Sequence, residues 1–209
     1  MASVLLASAR RFHPEATIYL CLADKLLPNE GFYPNDSIVV PIEDLDIPDL
    51  RSFVFRYDIM ELNTAVKPFM FQHLLGMGHQ TILYFDPDIQ IFSRLDQILE
   101  SLQDGASFVL TPHLCAPAEG SAYPDDIGIL RAGIYNLGFL GVHACPETDS
   151  ILAWWARRLQ YQCLDAQDIG IFVDQKFMDL VPGFAEKAPR LPATAGGLDQ
   201  PARYSAPRS

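Results

Sequence analysis

The chain has 209 residues, of which 49% are hydrophobic and 20% are charged. This composition is typical of a globular protein with one sizeable core. The formal net charge of −11 argues against nucleic acid, and against an anionic membrane surface, as a partner bound by non-specific electrostatics. No apolar segment of the sequence has the ~20 residues needed to span a bilayer.

The cysteine spacing excludes the common zinc and redox motifs. The four cysteines are Cys21, Cys115, Cys145 and Cys163, and no two of them form a C-x-x-C pair. Cys21 lies in an apolar run and is expected to be a reduced core residue, which indicates a reducing compartment. The first residues lack the order of a signal peptide, because two arginines follow the short apolar stretch instead of preceding it. The sequence therefore predicts a cytoplasmic protein.

Apolar periodicity predicts helices and strands that alternate along the chain. We expect helices at residues 3–13, 47–55, 58–76, 94–102 and 147–164, and strands at residues 17–23, 37–42, 82–85, 106–110 and 134–142. Residues 116–133 are predicted to form a long irregular loop, of the kind that can cover a ligand. The alternation predicts an α/β domain with a mostly parallel sheet over residues 1–184. Residues 185–209 are predicted to be a disordered low-complexity tail.

In the helical stretch 58–76, the position of a proline decides where a helix can begin. A helix that starts near Asn63 or Thr64 places Pro68 in its first turn, where the missing amide has no partner to lose. Lys67 then lies in the same turn, where the helix dipole disfavours a cation unless an anion is bound there too. Lys67 is therefore either a phosphate contact or a solvated surface lysine.

The apolar strand at residues 82–85 ends in two carboxylates, Asp86 and Asp88, on either side of Pro87. Residues i and i+2 of an extended chain point to the same side. Both acids are thus predicted to share one face at the carboxyl end of a central strand, where open α/β sheets bind ligands. Paired carboxylates suit Mg²⁺ or Mn²⁺, which keeps positions open for phosphate oxygens. The sequence Asp-Pro-Asp is also common in an ordinary turn after a strand, without any bound metal.

The strand at residues 134–142 contains Asn136, Gly138 and Gly141. A glycine inside a strand marks the close approach of a ligand, a bulge, or a tight contact with a helix. Asn136 offers both a donor and an acceptor, which suits sugar hydroxyls.

Four further residues have simple structural interpretations. Asp174 is placed to cap a helix, and His113 is expected to be structural. Trp154 and Trp155 lie at helical spacing and are expected to pack in the core.

Three segments taken together resemble the nucleotide-sugar glycosyltransferases of the GT-A fold, specifically the glycogenin-like and bacterial lipopolysaccharide galactosyltransferase-like group. Residues 83–89 resemble the Asp-x-Asp motif, residues 135–139 the Asn-x-Gly strand and residues 173–178 the Asp-Gln helix start of that group. The resemblance covers about residues 3–184. It implies a GT-A-like fold and a hexosyltransferase activity that uses a nucleotide-sugar donor, with a UDP-sugar expected, and a glycan or other hydroxyl acceptor.

The resemblance also implies a donor site. Asp86 and Asp88 would hold manganese or magnesium against the diphosphate of the donor, where the metal acts as a Lewis acid. Lys67 would be a basic donor-binding residue, and Asn136 with Gly138 would line the donor sugar.

For catalysis, the resemblance implies that Asp174 contacts the donor sugar and that Gln175 lies close to the reacting face. The group usually retains the anomeric configuration, so no general base is assigned.

Two departures from the group lead us to expect a domain that is incomplete at both ends. The sequence begins in the helix that normally follows a first nucleotide-binding strand. The group also usually has a histidine metal ligand after the Asp-Gln helix, whereas the last histidine here is His143.

Two other functions stay open. A truncated, inactive nucleotide-binding or partner-binding remnant would show weak or absent turnover, even if metal and nucleotide still bind. A phosphatase of the haloacid dehalogenase type would use Asp86 as its nucleophile. That group, however, has threonine or valine where Gln90 stands, and its motif normally opens the domain.

Overall fold

A computed structural model describes residues 2–26, 33–117 and 126–186, together with the backbone of residues 198–199. The α/β class predicted from the sequence is confirmed. The described helices are α1 Ala2–Phe12, α2 Leu50–Arg56, α3 Ile59–Ala65, α4 Lys67–Gly76, α5 Asp96–Gln103, α6 Asp126–Ala132, α7 Pro146–Gln162 and α8 Gln175–Met178. The described strands are β1 Tyr19–Leu22, β2 Ile38–Pro41, β3 Thr81–Phe85, β4 Gln90–Ile91, β5 Phe108–Pro112, β6 Tyr135–His143, β7 Asp165–Ala166, β8 Ile171–Phe172 and β9 Leu198–Asp199.

The strand pairing differs from the mostly parallel sheet that we predicted. Among the described strands, only β1 and β2 pair in parallel. The largest sheet has the order β3-β6-β5, and both of its pairings are antiparallel. The short pairs β4-β9 and β7-β8 are antiparallel as well.

The connection from β5 to β6 explains the antiparallel pairing. A parallel neighbour requires a crossover that carries the chain back to the other end of the sheet. Helix α6 has seven residues, about 10 Å of helix, and it stays at the end where β5 finishes. The amide of His113, which follows β5, donates to the carbonyl of Ile134, which precedes β6 (2.9 Å). Local periodicity predicted the elements but contained no information on this return.

Side chains from the two faces of the β3-β6-β5 sheet enter two different apolar clusters. Phe108 and Leu140 join a large cluster with α2, α3, α4 and α7. Val109 and Phe139 join a smaller cluster with α5 and the apolar side of α1. This alternation is the two-residue period of a strand, and it leaves the sheet between helices on both faces.

Part of the predicted irregular loop is helical. Residues 126–132 of the predicted loop form helix α6, so the prediction of an irregular chain up to Gly133 was wrong there. Residues 118–125 lie outside the described residues. Most of the predicted tail lies outside them too, except residues 185–186 and the pairing of residues 198–199 with β4.

The four cysteines are free, and Cys163 is fully buried. Cys21 is half-buried against the large apolar cluster and is not one of its fully buried members. Burial raises the pKa of its thiol to about 12. None of the helices in the described residues is both long enough and apolar enough to cross a membrane.

Gly141 of β6 lies in a close contact between the sheet and α5. A Cβ atom at this position would lie 3.2 Å from Leu102 of α5 and 3.3 Å from both Leu83 and Val109. We therefore expect Gly141→Ala to destabilise the fold by ~1–3 kcal/mol through overpacking. Urea denaturation of the variant measures this change.

Gly76→Ala is the matched control for that variant. Gly76 ends α4, and a Cβ there meets no atom of the described residues within 4 Å. The control is expected to be neutral or stabilising by up to ~1 kcal/mol. Equal effects of the two substitutions would contradict the close packing of Gly141.

Candidate functional site

The three segments that carry the family resemblance meet around the side-chain ammonium of Lys67. Its Nζ lies 2.8 Å from Asp174 Oδ2 and 3.8 Å from Asp86 Oδ1. It also donates a hydrogen bond to the carbonyl of Leu137 (3.0 Å). We call Lys67, Tyr84, Asp86, Asp174 and the Leu137 carbonyl the Lys67 cluster.

Lys67 reaches this place because the helical stretch is broken into two helices. Helix α3 begins with a capping box between Asp58 and Glu61 and ends at Ala65. Helix α4 begins at Lys67, so Pro68 lies in the first turn of a helix, as predicted. The predicted start near Asn63 or Thr64 was wrong, because both residues belong to α3. The Lys67 side chain is only 4% exposed, so the interpretation as a solvated surface lysine was wrong.

The surroundings of Lys67 keep it charged. Burial would lower the pKa of this lysine, but Asp174 above all, with Tyr84 and Asp86, raises it above its usual range. Conversely, burial raises the pKa of Asp174, and the Lys67 ammonium opposes this increase. The ammonium is therefore the fixed positive charge of the cluster, and it compensates carboxylates that would otherwise be costly to bury.

Tyr84 was not singled out from the sequence, where it was one residue of an apolar strand. Its hydroxyl donates a hydrogen bond to Asp86 Oδ1, and its ring centroid lies 4.6 Å from Lys67 Nζ. Burial raises the pKa of the Tyr84 phenol, so it stays a hydrogen-bond donor. The two-residue period of a strand was the available signal, because it points Tyr84 and Asp86 the same way.

A bulge in β6 supplies the backbone groups of the site. Leu110 of β5 lies opposite Leu140, but the next residue, Thr111, lies opposite Asn136. Residues 137–139 therefore bulge out of the β5 ladder. The carbonyl of Leu137 is thus available to Lys67.

Within the same bulge, Asn136 and Gly138 shape the backbone. The amide of Gly138 donates to Asn136 Oδ1 (2.7 Å), and the Gly138 carbonyl accepts from the amide of Asp86 (2.7 Å). Of the three interpretations offered for glycines in this strand, the structure contains a bulge at Gly138 and a tight packing contact at Gly141.

Asp174 is an ion-pair partner of Lys67 and follows a strained residue. It precedes α8, but its side chain makes no capping bond to the described part of that helix, so the prediction of a cap was wrong. Its side chain is 2% exposed, and its carboxylate pairs with Lys67. Val173 before it has φ = 37°, a left-handed conformation that costs a β-branched residue ~1–3 kcal/mol. Trp155, expected only to pack, also donates its indole N–H to the Asp174 carbonyl (3.2 Å).

The segment from Asp86 to Asp88 is a turn. The amide of Ile89 donates to the Asp86 carbonyl (3.1 Å), so the extended geometry that we expected to align the two acids is absent. Asp86 is 37% exposed and tied into the Lys67 cluster. Asp88 is exposed, and within the described residues its side chain makes no hydrogen bond or ion pair. The chain then continues as strand β4.

Gln175 does not join the Lys67 cluster. Its Nε2 donates to the carbonyl of Ala132 at the end of α6 (3.1 Å), and its side chain also hydrogen-bonds His113. Burial lowers the pKa of His113. Gln175 therefore lies beside the Lys67 cluster, at the start of α8, and its side chain connects α8 to α6.

The donor atoms at the Asp86–Asp88 turn fit a hard divalent cation. Mg²⁺ is commonly bound by one or two carboxylates, with water and substrate phosphates in the remaining positions. Within residues 2–26, 33–117 and 126–186, no group of three or more His, Cys, Asp or Glu side chains is arranged to hold a metal ion. An ion bound to Asp86 and Asp88 would therefore depend on phosphate oxygens or water for its other ligands.

Comparison with known proteins does not identify a family. No model of a known protein family matches the chain, and no curated protein matches it significantly in sequence. The interpretation of the site thus depends on the residues themselves.

The buried ion pair makes a direct prediction about stability. Lys67→Met leaves Asp174 buried without its counter-charge, so we expect a loss of ~3–5 kcal/mol in the free energy of unfolding. The double variant Lys67→Met/Asp174→Leu removes the unpaired charge and is expected to recover part of this loss. Urea denaturation of both variants measures the difference.

Lys176→Met is the control for this prediction. Lys176 pairs with Asp179 at 2.9 Å, but its side chain is 25% exposed, and such pairs are worth ~0–1 kcal/mol. A loss in Lys67→Met no larger than that of Lys176→Met would contradict the role assigned to the buried pair.

Proposed function

We propose that this protein is a metal-dependent glycosyltransferase, which moves a hexose from a nucleotide-diphosphate sugar to the hydroxyl group of a glycan or other acceptor. The observation that supports the proposal is the meeting of three distant segments at one ammonium. Lys67 contacts one group from each of the three sequence motifs: the Asp86 carboxylate, the Leu137 carbonyl next to Asn136, and the Asp174 carboxylate. These are the segments on which the GT-A resemblance rests.

In this proposal Asp86 and Asp88 would hold Mn²⁺ or Mg²⁺. The bound ion would supply a Lewis acid for the departing nucleoside diphosphate. In the reaction, the bond between the anomeric carbon and the phosphate oxygen breaks, and a bond to the acceptor oxygen forms. The acceptor proton leaves with the product phosphate or to water, and no residue of this chain is assigned as a general base.

Lys67 has a different role from the phosphate contact first expected. Its three nearest partners already surround the ammonium, and the side chain is buried. Its function in the proposed enzyme is to fix Asp86 and Asp174 relative to each other. Asp174 shares this positioning role, because its side chain is 2% exposed and pairs with the same ammonium. The direct contact with the donor sugar that the resemblance implies does not fit this burial.

The proposal predicts metal-dependent binding of a nucleoside diphosphate. Calorimetric titration of uridine diphosphate into the full chain is expected to give binding with Mn²⁺ and little binding without it. Asp86→Asn/Asp88→Asn should abolish the metal-dependent part, since even changes outside the first coordination shell cost ~10–100-fold in metal affinity.

A matched control is present in the same chain. Asp44 and Asp46 have the same spacing, and both are exposed. Asp44→Asn/Asp46→Asn removes an equal charge and should leave binding unchanged. If the folded wild-type protein binds neither uridine diphosphate nor another nucleoside diphosphate with Mn²⁺, the proposal is wrong and the inactive remnant is favoured. Metal-dependent binding without sugar transfer in a screen of donors would favour the same alternative.

A further inference from the structure

Strands β1 and β3 each have a hydrogen-bonded neighbour along one edge only. Within the described residues, β1 pairs with β2 alone and β3 pairs with β6 alone. The two strands begin near each other, since the hydroxyl of Tyr19 in β1 lies 2.8 Å from Nε2 of His79, two residues before β3. The tips of two long side chains make this contact, whereas the backbones of paired strands lie ~4.8 Å apart. We call the free edges of β1 and β3, with the space between them, the strand gap.

Every second residue of β3 turns its backbone polar groups toward the strand gap. The amide of Asp86 donates to the Gly138 carbonyl that follows the bulge in β6 (2.7 Å). Hydrogen-bonded residues alternate along an antiparallel pair, so in this register Tyr84 and Ile82 also bond to β6. The residues between them turn their N–H and C=O groups the other way, to the free edge; they are Thr81, Leu83 and Phe85.

The same counting identifies the free groups of β1. The amide of Ile38 in β2 donates to the Ile18 carbonyl (2.9 Å). In a parallel pair of this register, the Ile38 carbonyl accepts from the amide of Leu20. Tyr19 and Cys21 therefore turn their N–H and C=O groups away from β2. Within the described part of the chain, the backbone groups on these two edges have no hydrogen-bond partner.

The two free edges are half-buried and unprotected. Every residue of β1 and β3 is half-buried, whereas seven of the nine residues of β6, which is paired along both edges, are fully buried. Backbone polar groups that leave water without a partner are costly, and native structures rarely keep them. Proteins usually protect a free edge with charged residues, proline or a bulge, but β1 and β3 contain no charged residue and no proline. Both edges are therefore templates for a further strand.

The side chains beside the strand gap determine which kind of strand fits. Cys21 and Tyr84 pack against the larger apolar cluster, and Leu83 and Phe85 pack against the smaller one. A strand in the gap would direct its side chains alternately toward these two clusters. Strands that are buried on both faces are continuous apolar runs. The gap thus fits an uninterrupted run of apolar, β-forming residues.

The parts of this chain outside the described residues do not contain such a run. Proline cannot donate to a strand ladder and is excluded from central strands. Residues 27–32, 118–125, 187–197 and 200–209 all contain proline, and none of these segments has four consecutive apolar residues. The prolines are Pro28, Pro124, Pro189, Pro192, Pro201 and Pro207.

We propose that the strand gap binds an extended apolar segment of another polypeptide, which becomes a central strand between β1 and β3. Its N–H and C=O groups would pair with the free backbone groups of both edges, which is how strand addition provides affinity. One bound strand would thereby join the β1-β2 pair to the β3-β6-β5 sheet. The inference is independent of the activity proposed above.

Amide hydrogen exchange of the full chain tests this proposal. In the free protein, the amides of Leu83 and Phe85 are expected to exchange faster than those of Ile82 and Tyr84, which bond to β6. The probe is the end-blocked peptide Lys-Thr-Val-Ile-Val-Val-Thr-Lys, whose centre is apolar and whose lysines keep it soluble. Bound peptide should slow exchange at Leu83 and Phe85 roughly tenfold or more, because each amide gains a hydrogen bond.

A modified peptide and two variants are the controls. The same peptide with N-methyl groups on alternate residues cannot donate to one of the edges and should bind roughly tenfold more weakly. Leu20→Lys places a charge on β1 beside the gap and should weaken binding about fivefold; Leu20 belongs to neither apolar cluster. Ile38→Lys makes the same change on β2, where the side chain is 50% exposed, and should bind like the wild type. Circular dichroism checks that both variants fold.

Three binding results would overturn the proposal: no binding of the peptide, equal binding of the N-methylated peptide, or binding that leaves the amides of Leu83 and Phe85 unprotected. Equal protection of Leu83, Phe85, Ile82 and Tyr84 in the free protein would also overturn it, because the edge of β3 would already be covered. Size-exclusion chromatography would then show whether a second copy of the chain covers it.

Discussion

A buried positive charge is the constraint that organises this structure. Removing an ammonium from water costs several kcal/mol unless nearby groups compensate it, and Lys67 is almost completely enclosed. The compensation comes from parts of the chain that are far apart in sequence: Asp86 after β3, the Leu137 carbonyl in β6 and Asp174 before α8. The fold can bury Lys67 only if these three segments come together, so one interaction ties the sheet to the helices on one of its faces.

Several local irregularities become understandable from this constraint. The break between α3 and α4 puts Lys67 at the start of a helix. The bulge in β6 leaves the Leu137 carbonyl unpaired with β5, where Lys67 can use it. The left-handed conformation of Val173 is unfavourable by itself, but it precedes the carboxylate that contacts Lys67. These three departures from regular geometry lie next to groups of the Lys67 cluster, as expected where a site imposes strain.

Much of the local structure could be predicted, because apolar periodicity and the proline rule are local properties. The rule for Pro68 put this residue in the first turn of a helix, although the predicted start was three to four residues too early, and a continuous apolar run located β3. The pairing direction could not be predicted, since it depends on where the chain returns after β5. The burial of Lys67 could not be predicted either, because its partners are supplied by segments that no local pattern connects to it.

The contacts of single site residues could likewise be predicted only in part from the sequence. The sequence identified Asp86 and Asp174, which do come together at Lys67, although Asp174 is an ion-pair partner and not a cap. It also identified Asn136, whose side chain accepts a hydrogen bond from Gly138 in the neighbouring bulge. It placed Gln175 with them, whereas this side chain faces α6. Tyr84 and Trp155 were missed in their polar roles, because an aromatic residue in an apolar stretch gives no sign that its hydroxyl or indole N–H has a buried partner.

The most direct test of the account is to locate a bound Mn²⁺ by its paramagnetic effect on backbone amide signals in NMR spectra. An ion held by Asp86 and Asp88 next to the Lys67 cluster should broaden the amides of residues 86–89 and, across the β3-β6 pairing, those of residues 137–139. It should leave the amides of residues 44–46 sharp. Broadening centred on residues 44–46, or none in the presence of uridine diphosphate, would contradict a metal site beside the buried lysine.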